Sequence, residues 1–313
     1  MVVQEISSSG VKAIITVIAG LALATLMIVL RFVGRIKNKS VGSDDWIALI
    51  SYILLIGVII CHLLLFSHLG FSEASMDQFS PEQLRRFLVL LYGSNIPYTC
   101  CSFAIKLSFL SLYRRIFVTR TFEIITTCLI GLLITWWLCI IVSQVILCRP
   151  VETFWVRGGS KYCIDRLKMN QATSISNAVW DFVLLLLPLP MVWNLNMTRR
   201  KKLQVTGAFL GGILLCACSV VRAIVLHQWS EHNLSEIVWR GGLWSVLECV
   251  VGVSCACMPT LASLLKEWCR KATHMHHNRP RLHGDIGKAL ESGSVHRIAV
   301  RVHRHKGDPY NID

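Results

Sequence analysis

The chain has 313 residues, of which 54% are hydrophobic and only 16% are charged, with a formal net charge of +14. A soluble domain would carry about a quarter charged residues, so the composition excludes an ordinary soluble enzyme and indicates a polytopic membrane protein. Most of the positive charge lies in short loops and in a basic C-terminal tail, so no nucleic-acid partner is expected.

Seven apolar segments are long enough to cross a bilayer as helices, which takes about 20 residues each. They are Val11–Ile36, Trp46–His68, Phe87–Phe117, Phe122–Leu147, Gln171–Leu195, Leu203–Trp229 and Ile237–Leu265. We therefore predict an all-α, seven-transmembrane helix bundle. Its expected parts are a short extracellular N-terminus (residues 1–10), a membrane domain (residues 11–268) and a basic, disordered cytoplasmic tail (residues 269–313).

The orientation of the bundle follows from the Lys and Arg residues in its short loops, which favour the cytoplasmic side. Basic residues lie at the ends of the first, third and fifth segments or just after them: Arg35, Lys37, Lys39, Arg114, Arg115, Arg120 and Arg199–Lys202. The loop from Arg149 to Lys168 is also basic and is the exception. The balance predicts an outside N-terminus and a cytoplasmic C-terminus, in the plasma membrane or an endomembrane.

Most of the 13 cysteines fall inside the predicted spans, where cysteine behaves as a small hydrophobic residue. Cys148 and Cys163 differ, because they flank the long outside loop between spans four and five. The outside is an oxidising environment for a protein of the secretory pathway. We predict a disulfide between them, and the alternative is a pair of free thiols.

Three charged residues lie inside consecutive spans: Asp181, Arg222 and Glu248. A charge at the bilayer centre is costly unless it is paired or faces water, and it usually marks a functional site. At about 1.5 Å per residue, Asp181 and Glu248 lie about 15 Å below the outside surface and Arg222 about 10 Å below it. The three side chains are therefore expected to converge in the outer half of the bundle.

We predict that the three charged residues line a ligand pocket. Four further residues are predicted to line it with them: Asn95, Tyr98, Asn177 and Trp244. Asn177 and Trp244 lie one turn from Asp181 and Glu248 on the same helix faces. Lys106 lies nearer the cytoplasmic side and is interpreted as snorkelling, as is Arg31 at the end of span one. A purely structural salt-bridge network that sets helix register is the alternative to a ligand pocket.

The tail contains His274, His276 and His277, whose spacing matches no defined metal site. Solvated disorder explains such a polar segment, so no metal is expected.

Several sequence blocks together resemble the fungal rhodopsin-domain family of integral membrane proteins, over about residues 15–268. The blocks include GSDDW (Gly42–Trp46), KLSFLSLYRRIF (Lys106–Phe117), CRPVETFW (Cys148–Trp155), NAVWDFVLLLLPLPMVWNL (Asn177–Leu195) and LWSVLECVVGVSCACMPTL (Leu243–Leu261). The family includes receptor-like proteins and proteins encoded beside secondary-metabolite genes. The resemblance implies a seven-helix fold and a fungal source, and it assigns little biochemistry.

No retinal or other cofactor is expected, because span seven contains no lysine before Lys266. The favoured interpretation is a receptor-like sensor of a small or lipid-derived ligand, which passes its signal to a cytoplasmic partner. One alternative is a membrane enzyme of secondary metabolism, an acid-catalysed cyclase or isomerase that uses Asp181 or Glu248 as the proton donor. A metabolite transporter is the other alternative.

Overall fold

The computed structural model describes residues 8–37, 39–68, 80–146, 148, 154–155, 165–190, 199–228 and 239–261. These residues form seven long helices and no β-strand. The helices are α1 (Ser8–Lys37), α2 (Ser43–His68), α3 (Pro81–Ile116), α4 (Arg120–Val145), α5 (Arg166–Leu186), α6 (Arg199–Gln228) and α7 (Trp239–Leu261). The predicted all-α membrane class is confirmed.

Six of these helices are long and apolar enough to cross a membrane, namely all except α5. The first half of α5 is rich in polar residues, including Asn170, Gln171 and Asn177. Its last turns are apolar, and the regular helix ends at Leu186, before Pro188. Proline has no backbone N–H and disrupts a helix interior, which agrees with the position of this break.

Consecutive helices run in opposite directions, so the chain passes back and forth along the bundle. Arg31 of α1 contacts Asp44 of α2, and Arg115 of α3 reaches the same carboxylate. The end of α1, the start of α2 and the end of α3 therefore meet, and we call this the basic end of the bundle. At the opposite end, the rings of Phe66 and Trp239 lie 4.5 Å apart.

Helices α6 and α7 approach each other closely at Gly211. A Cβ atom placed on Gly211 would lie 2.8 Å from Cβ of Cys255. Small residues permit such approach between membrane helices, where dispersion replaces the hydrophobic effect as the packing force. Gly211 therefore sets the distance between two helices that carry the central charges.

Several sequence predictions fall outside the described residues. These are the N-terminal residues 1–7, the whole tail 269–313 with its histidines, and Cys163. Cys148 is buried, and its disulfide with Cys163 stays a prediction.

We predict that Gly211→Ala lowers the melting temperature of the detergent-purified protein, because the new methyl group has no room against Cys255. Gly131→Ala is the matched control, since a Cβ atom there meets nothing within 4 Å. Alanine is intrinsically favoured over glycine in a helix by about 1 kcal/mol, so the control should melt at the same or a higher temperature. Equal melting temperatures for the two variants would contradict the packing.

Candidate functional site

A buried group of polar side chains occupies the middle of the bundle and joins α3, α5, α6 and α7. The members on each helix are spaced three or four residues apart, which places them on one face of that helix. We call this group the central polar cluster: Tyr98, Ser102, Lys106, Asn177, Asp181, Ser219, Arg222, Ser245 and Glu248.

The first ion pair of the cluster joins α3 to α5. Nζ of Lys106 lies 2.6 Å from Oδ1 of Asp181, and both side chains are at most 2% exposed. Nζ also donates to Oγ of Ser102, one turn away on α3, at 3.3 Å. The charged end of the lysine side chain thus lies inside the bundle rather than at a membrane surface.

The second ion pair joins α6 to α7. Nη1 of Arg222 lies 3.4 Å from Oε2 of Glu248. The same nitrogen donates to the hydroxyl of Tyr98, and the guanidinium carbon lies 4.2 Å from the centre of the Tyr98 ring. Nε of Arg222 donates to Oγ of Ser245 at 3.0 Å. Hydrogen bonds, the charge of Glu248 and the face of the Tyr98 ring therefore fix the position of the guanidinium.

Neutral side chains connect the two ion pairs. Nδ2 of Asn177 donates to Oε1 of Glu248 at 2.6 Å, and Oδ1 of Asn177 accepts from Ser102 at 2.6 Å. Oγ of Ser219 lies 2.5 Å from Oδ2 of Asp181 and 3.2 Å from Oε1 of Glu248. Its single proton serves one carboxylate at a time. The cluster is consequently one network rather than two separate pairs.

The formal charges of the cluster cancel. Lys106 and Arg222 supply the positive charges, and Asp181 and Glu248 supply the negative charges, all of them buried. Each carboxylate accepts hydrogen bonds from its own cation and from neutral donors. Neither buried acid is therefore left without a partner.

A second ionic network lies at the basic end, and we call it the arginine–aspartate cluster: Arg31, Arg35, Asp44, Asp45 and Arg115. Arg31 contacts Asp44 at 2.7 Å and Asp45 at 2.8 Å. Arg35 reaches Asp44 at 3.1 Å, and Arg115 reaches the other oxygen of Asp44 at 2.9 Å. The network fastens α1, α2 and α3 together.

The start of α2 is built to hold this cluster. The backbone N–H of Gly42 donates to Oδ2 of Asp45 at 2.9 Å, and a Cβ atom at Gly42 would lie 2.7 Å from Oδ1 of Asp44. Carboxylates in a first helical turn also interact favourably with the helix dipole. The start of α2 therefore requires a glycine at position 42 and acids at positions 44 and 45.

The arginine–aspartate cluster also reaches α7. Nη1 of Arg31 donates to the backbone carbonyl of Ala256 at 2.5 Å. Ala256 lies eight residues after Glu248, about 12 Å further along the same helix. Helix α7 thus contacts both ionic networks, and so does α3 through Lys106 and Arg115.

The structure brings Asp181, Arg222 and Glu248 together in one network, along with Tyr98 and Asn177. Asn95 is not part of it, because its Nδ2 donates to the carbonyl of Leu91 in its own helix. Trp244 is half-buried, and in the described part of the chain no hydrogen bond joins it to the cluster. The use of these residues as a ligand pocket stays a prediction.

Two interpretations from sequence were wrong. Lys106 does not snorkel but is 1% exposed and holds Asp181, and Arg31 is 1% exposed and holds Asp44 and Asp45. The signal for the arginine was available: Arg31 and Arg35 lie one turn apart, and two acids follow within a short connection. For Lys106, the available signal was charge balance. Asp181 and Glu248 faced a single arginine, so one buried acid still needed a cation.

A shallow apolar cavity of about 490 Å³ lies between α4 and α5, and its lining residues belong to neither network.

A family model described as "Fungal rhodopsin domain" matches residues 30–267 of the chain. No solved structure matches the chain.

Curated relatives come from several fungi. A "SAT4 family membrane protein" of Emericella nidulans is 29% identical over 208 residues, which cover 65% of this chain and 53% of that protein. The "Polyenoic acids biosynthesis gene cluster protein Ba17b" of Metarhizium anisopliae is 24% identical over 73% of this chain and 69% of that protein. The "Fugralins biosynthesis cluster protein 2" of Gibberella zeae is 26% identical over 58% of this chain and 46% of that protein. The chain spans about half the length of the first of these relatives.

We predict that Arg222→Leu destabilises the protein more than the double change Arg222→Leu, Glu248→Leu. The single change leaves the buried Glu248 carboxylate without its cation, which costs about 3–5 kcal/mol, whereas an apolar pair of similar size is often neutral. Melting temperatures in detergent, compared across both single variants and the double variant, measure this coupling.

The exposed pair between Arg86 and Glu82 is the control, because its side chains are 65% and 74% exposed. Arg86→Leu should change the melting temperature little, since water already screens that pair. If the double variant at Arg222 and Glu248 melts no higher than Arg222→Leu alone, the two side chains do not form a unit.

Proposed function

We propose that this chain, which belongs to the fungal rhodopsin domain family, is a receptor-like sensor of a small apolar or lipid-like ligand. The observation that supports this most is the central polar cluster, in which α3, α5, α6 and α7 meet through buried charges. Intramembrane charges are rare and usually mark functional sites. The ligand is proposed to enter the outer half of the bundle and to compete for contacts of this cluster.

The proposed signal path runs along α7. A ligand that alters the contacts of Glu248 biases the position of α7, which also supplies the Ala256 carbonyl to Arg31. Buried ion pairs have only a few stable arrangements. We therefore expect the helices to move between discrete positions rather than to deform gradually. The arginine–aspartate cluster at the basic end would then change, and a cytoplasmic partner would read that change.

For topology, we propose that α5 is the seventh span. It packs antiparallel to α6, with a Cβ atom at Gly212 falling 2.9 Å from Leu185 and Gln171 donating to the carbonyl of Leu226. Two of its polar residues, Asn177 and Asp181, face the central cluster, where other side chains satisfy them without water. With seven spans, the N-terminus is outside and the C-terminus, together with the basic end, is cytoplasmic.

Glycosylation mapping tests this topology. A glycosylation acceptor inserted between Leu195 and Arg199 should stay unmodified, while the same insertion between residues 69 and 79 should be modified. Modification of the first insertion, with the second left unmodified, would reverse the proposed orientation.

A role in making a secondary metabolite is the second candidate, supported by relatives that are named as biosynthesis cluster proteins. In that reading, Asp181 or Glu248 would donate a proton to an apolar substrate. The contacts with Lys106 and Arg222 weigh against it, because each carboxylate is already engaged by a cation inside the bundle. A transporter is the third candidate, and the structure offers it no specific support.

Metabolite and transcript profiling of one deletion strain separates the two leading candidates. A sensor predicts an altered transcriptional response without accumulation of a biosynthetic intermediate, and re-expression of the wild-type chain restores that response. Re-expression of Glu248→Gln should fail to restore it, whereas Arg86→Gln should succeed. A stalled intermediate in the deletion strain would instead establish the enzyme and contradict the sensor.

The coupling along α7 predicts a change in cysteine reactivity. Cys257 follows Ala256 and is 1% exposed. We expect Glu248→Gln to loosen α7 and to raise the rate of Cys257 alkylation several-fold, as followed by mass spectrometry of the purified protein. Arg86→Gln should leave the rate unchanged. If Asp44→Asn raises the rate but Glu248→Gln does not, the two clusters act independently and the proposed path is wrong.

A further inference from the structure

The cavity between α4 and α5 has a volume of about 490 Å³, which falls within the range of about 300–1,000 Å³ for ligand sites. Its walls are the first turns of α4 and the last turns of α5. It is lined by Thr121, Phe122, Ile125, Val183, Leu186 and Leu187, with Pro190 at its edge. Apart from the Thr121 hydroxyl, every lining side chain is apolar.

The position of the cavity determines what can fill it. Helix α4 is one of the candidate membrane spans and begins at Arg120, immediately before the lining residues. Ile125 is 43% exposed and Leu186 is 55% exposed, so the cavity opens outward from the bundle. In a membrane this opening faces lipid, and an apolar cavity there is expected to take up hydrocarbon rather than water.

The mouth of the cavity is positively charged. Arg120 adjoins Thr121, is exposed, and forms no ion pair within the described ranges. The end of α3 contributes Arg114, which is also exposed. Glu123 is the nearby acid, and its contact with Arg114 is long, at 3.5 Å between exposed groups. This excess of positive charge matches an anionic headgroup.

We propose that the groove between α4 and α5 binds one acyl chain of an anionic phospholipid, whose headgroup is held by Arg120. The apolar walls select hydrocarbon, and the unpaired guanidinium at the mouth selects the charge of the headgroup. This lipid site is separate from the central polar cluster and does not depend on the proposed sensor role. A bound lipid would bridge α4 and the end of α5, where the regular helix stops at Leu186.

Native mass spectrometry of the full chain tests the site, with phosphatidylinositol and phosphatidylcholine of identical acyl chains as probes. The wild-type protein should retain phosphatidylinositol several-fold more than phosphatidylcholine. Arg120→Gln should remove this preference, and Leu186→Trp, which fills the groove, should reduce retention of both lipids. Arg86→Gln and Leu132→Trp are the matched controls, since Arg86 lies at the opposite end and Leu132 is an exposed residue of α4 outside the groove.

Equal retention of the two lipids by the wild-type protein would overturn the headgroup assignment. Retention by Leu186→Trp equal to that by Leu132→Trp would overturn the groove. Because Arg120 lies on the surface, Arg120→Gln is expected to fold, and it keeps the proposal testable if Leu186→Trp does not fold. An unchanged lipid preference in Arg120→Gln would then reject the proposal on its own.

Discussion

The bundle depends on one constraint, which is that a charge taken out of water must be met by an opposite charge or by hydrogen bonds. Desolvating a single ion costs several kcal/mol in a real protein interior. Lys106 meets Asp181, and Arg222 meets Glu248, so α3 is tied to α5 and α6 to α7. Rotation or sliding of any of these helices would expose an unpaired charge. Apolar side chains alone specify the register between membrane helices only weakly. The ion pairs therefore fix the register.

The sequence was sufficient for the class of protein and for part of the central cluster. Long apolar segments predict spans because the bilayer core has a known thickness, and the depths of Asp181, Arg222 and Glu248 could be counted from the span ends. Lys106 was placed by its Cα depth alone. A lysine side chain extends several ångströms along the helix axis, and only the packing of α3 against α5 decides the direction it takes.

The arginine–aspartate cluster shows the same limit from the other side. Arg31 lies near the end of an apolar span, where snorkelling to the surface is the ordinary outcome. The short connection to α2, with Lys39 in a left-handed conformation at φ 45°, instead returns Asp44 and Asp45 to the arginine. The geometry of this turn was needed to place the acids against Arg31, and hydropathy does not contain it. In α5, likewise, polar residues that face the cluster lower the hydropathy that sequence methods use.

Under the proposed sensor role, this hydrogen-bonded network of zero net charge is the resting state. General acid catalysis requires a protonated group near its substrate, whereas each carboxylate here faces its own cation. A sensor needs two arrangements of similar energy and a ligand with different affinity for them. In the proposed sensor, helices α3 and α7, which contact both ionic networks, connect the ligand site to the basic end.

The central claim is that Lys106 and Arg222 hold the two buried acids, Asp181 and Glu248, as the ion pairs of one network. Infrared spectroscopy of the purified protein tests this directly, since a buried protonated carboxyl group absorbs apart from a carboxylate. We predict that neither Asp181→Asn nor Glu248→Gln removes a protonated-carboxyl band from the wild-type spectrum. We also predict that Lys106→Met creates such a band, which Asp181→Asn then abolishes in the double variant. A wild-type band that disappears in either single variant would contradict the account and would favour proton-transfer chemistry at that residue.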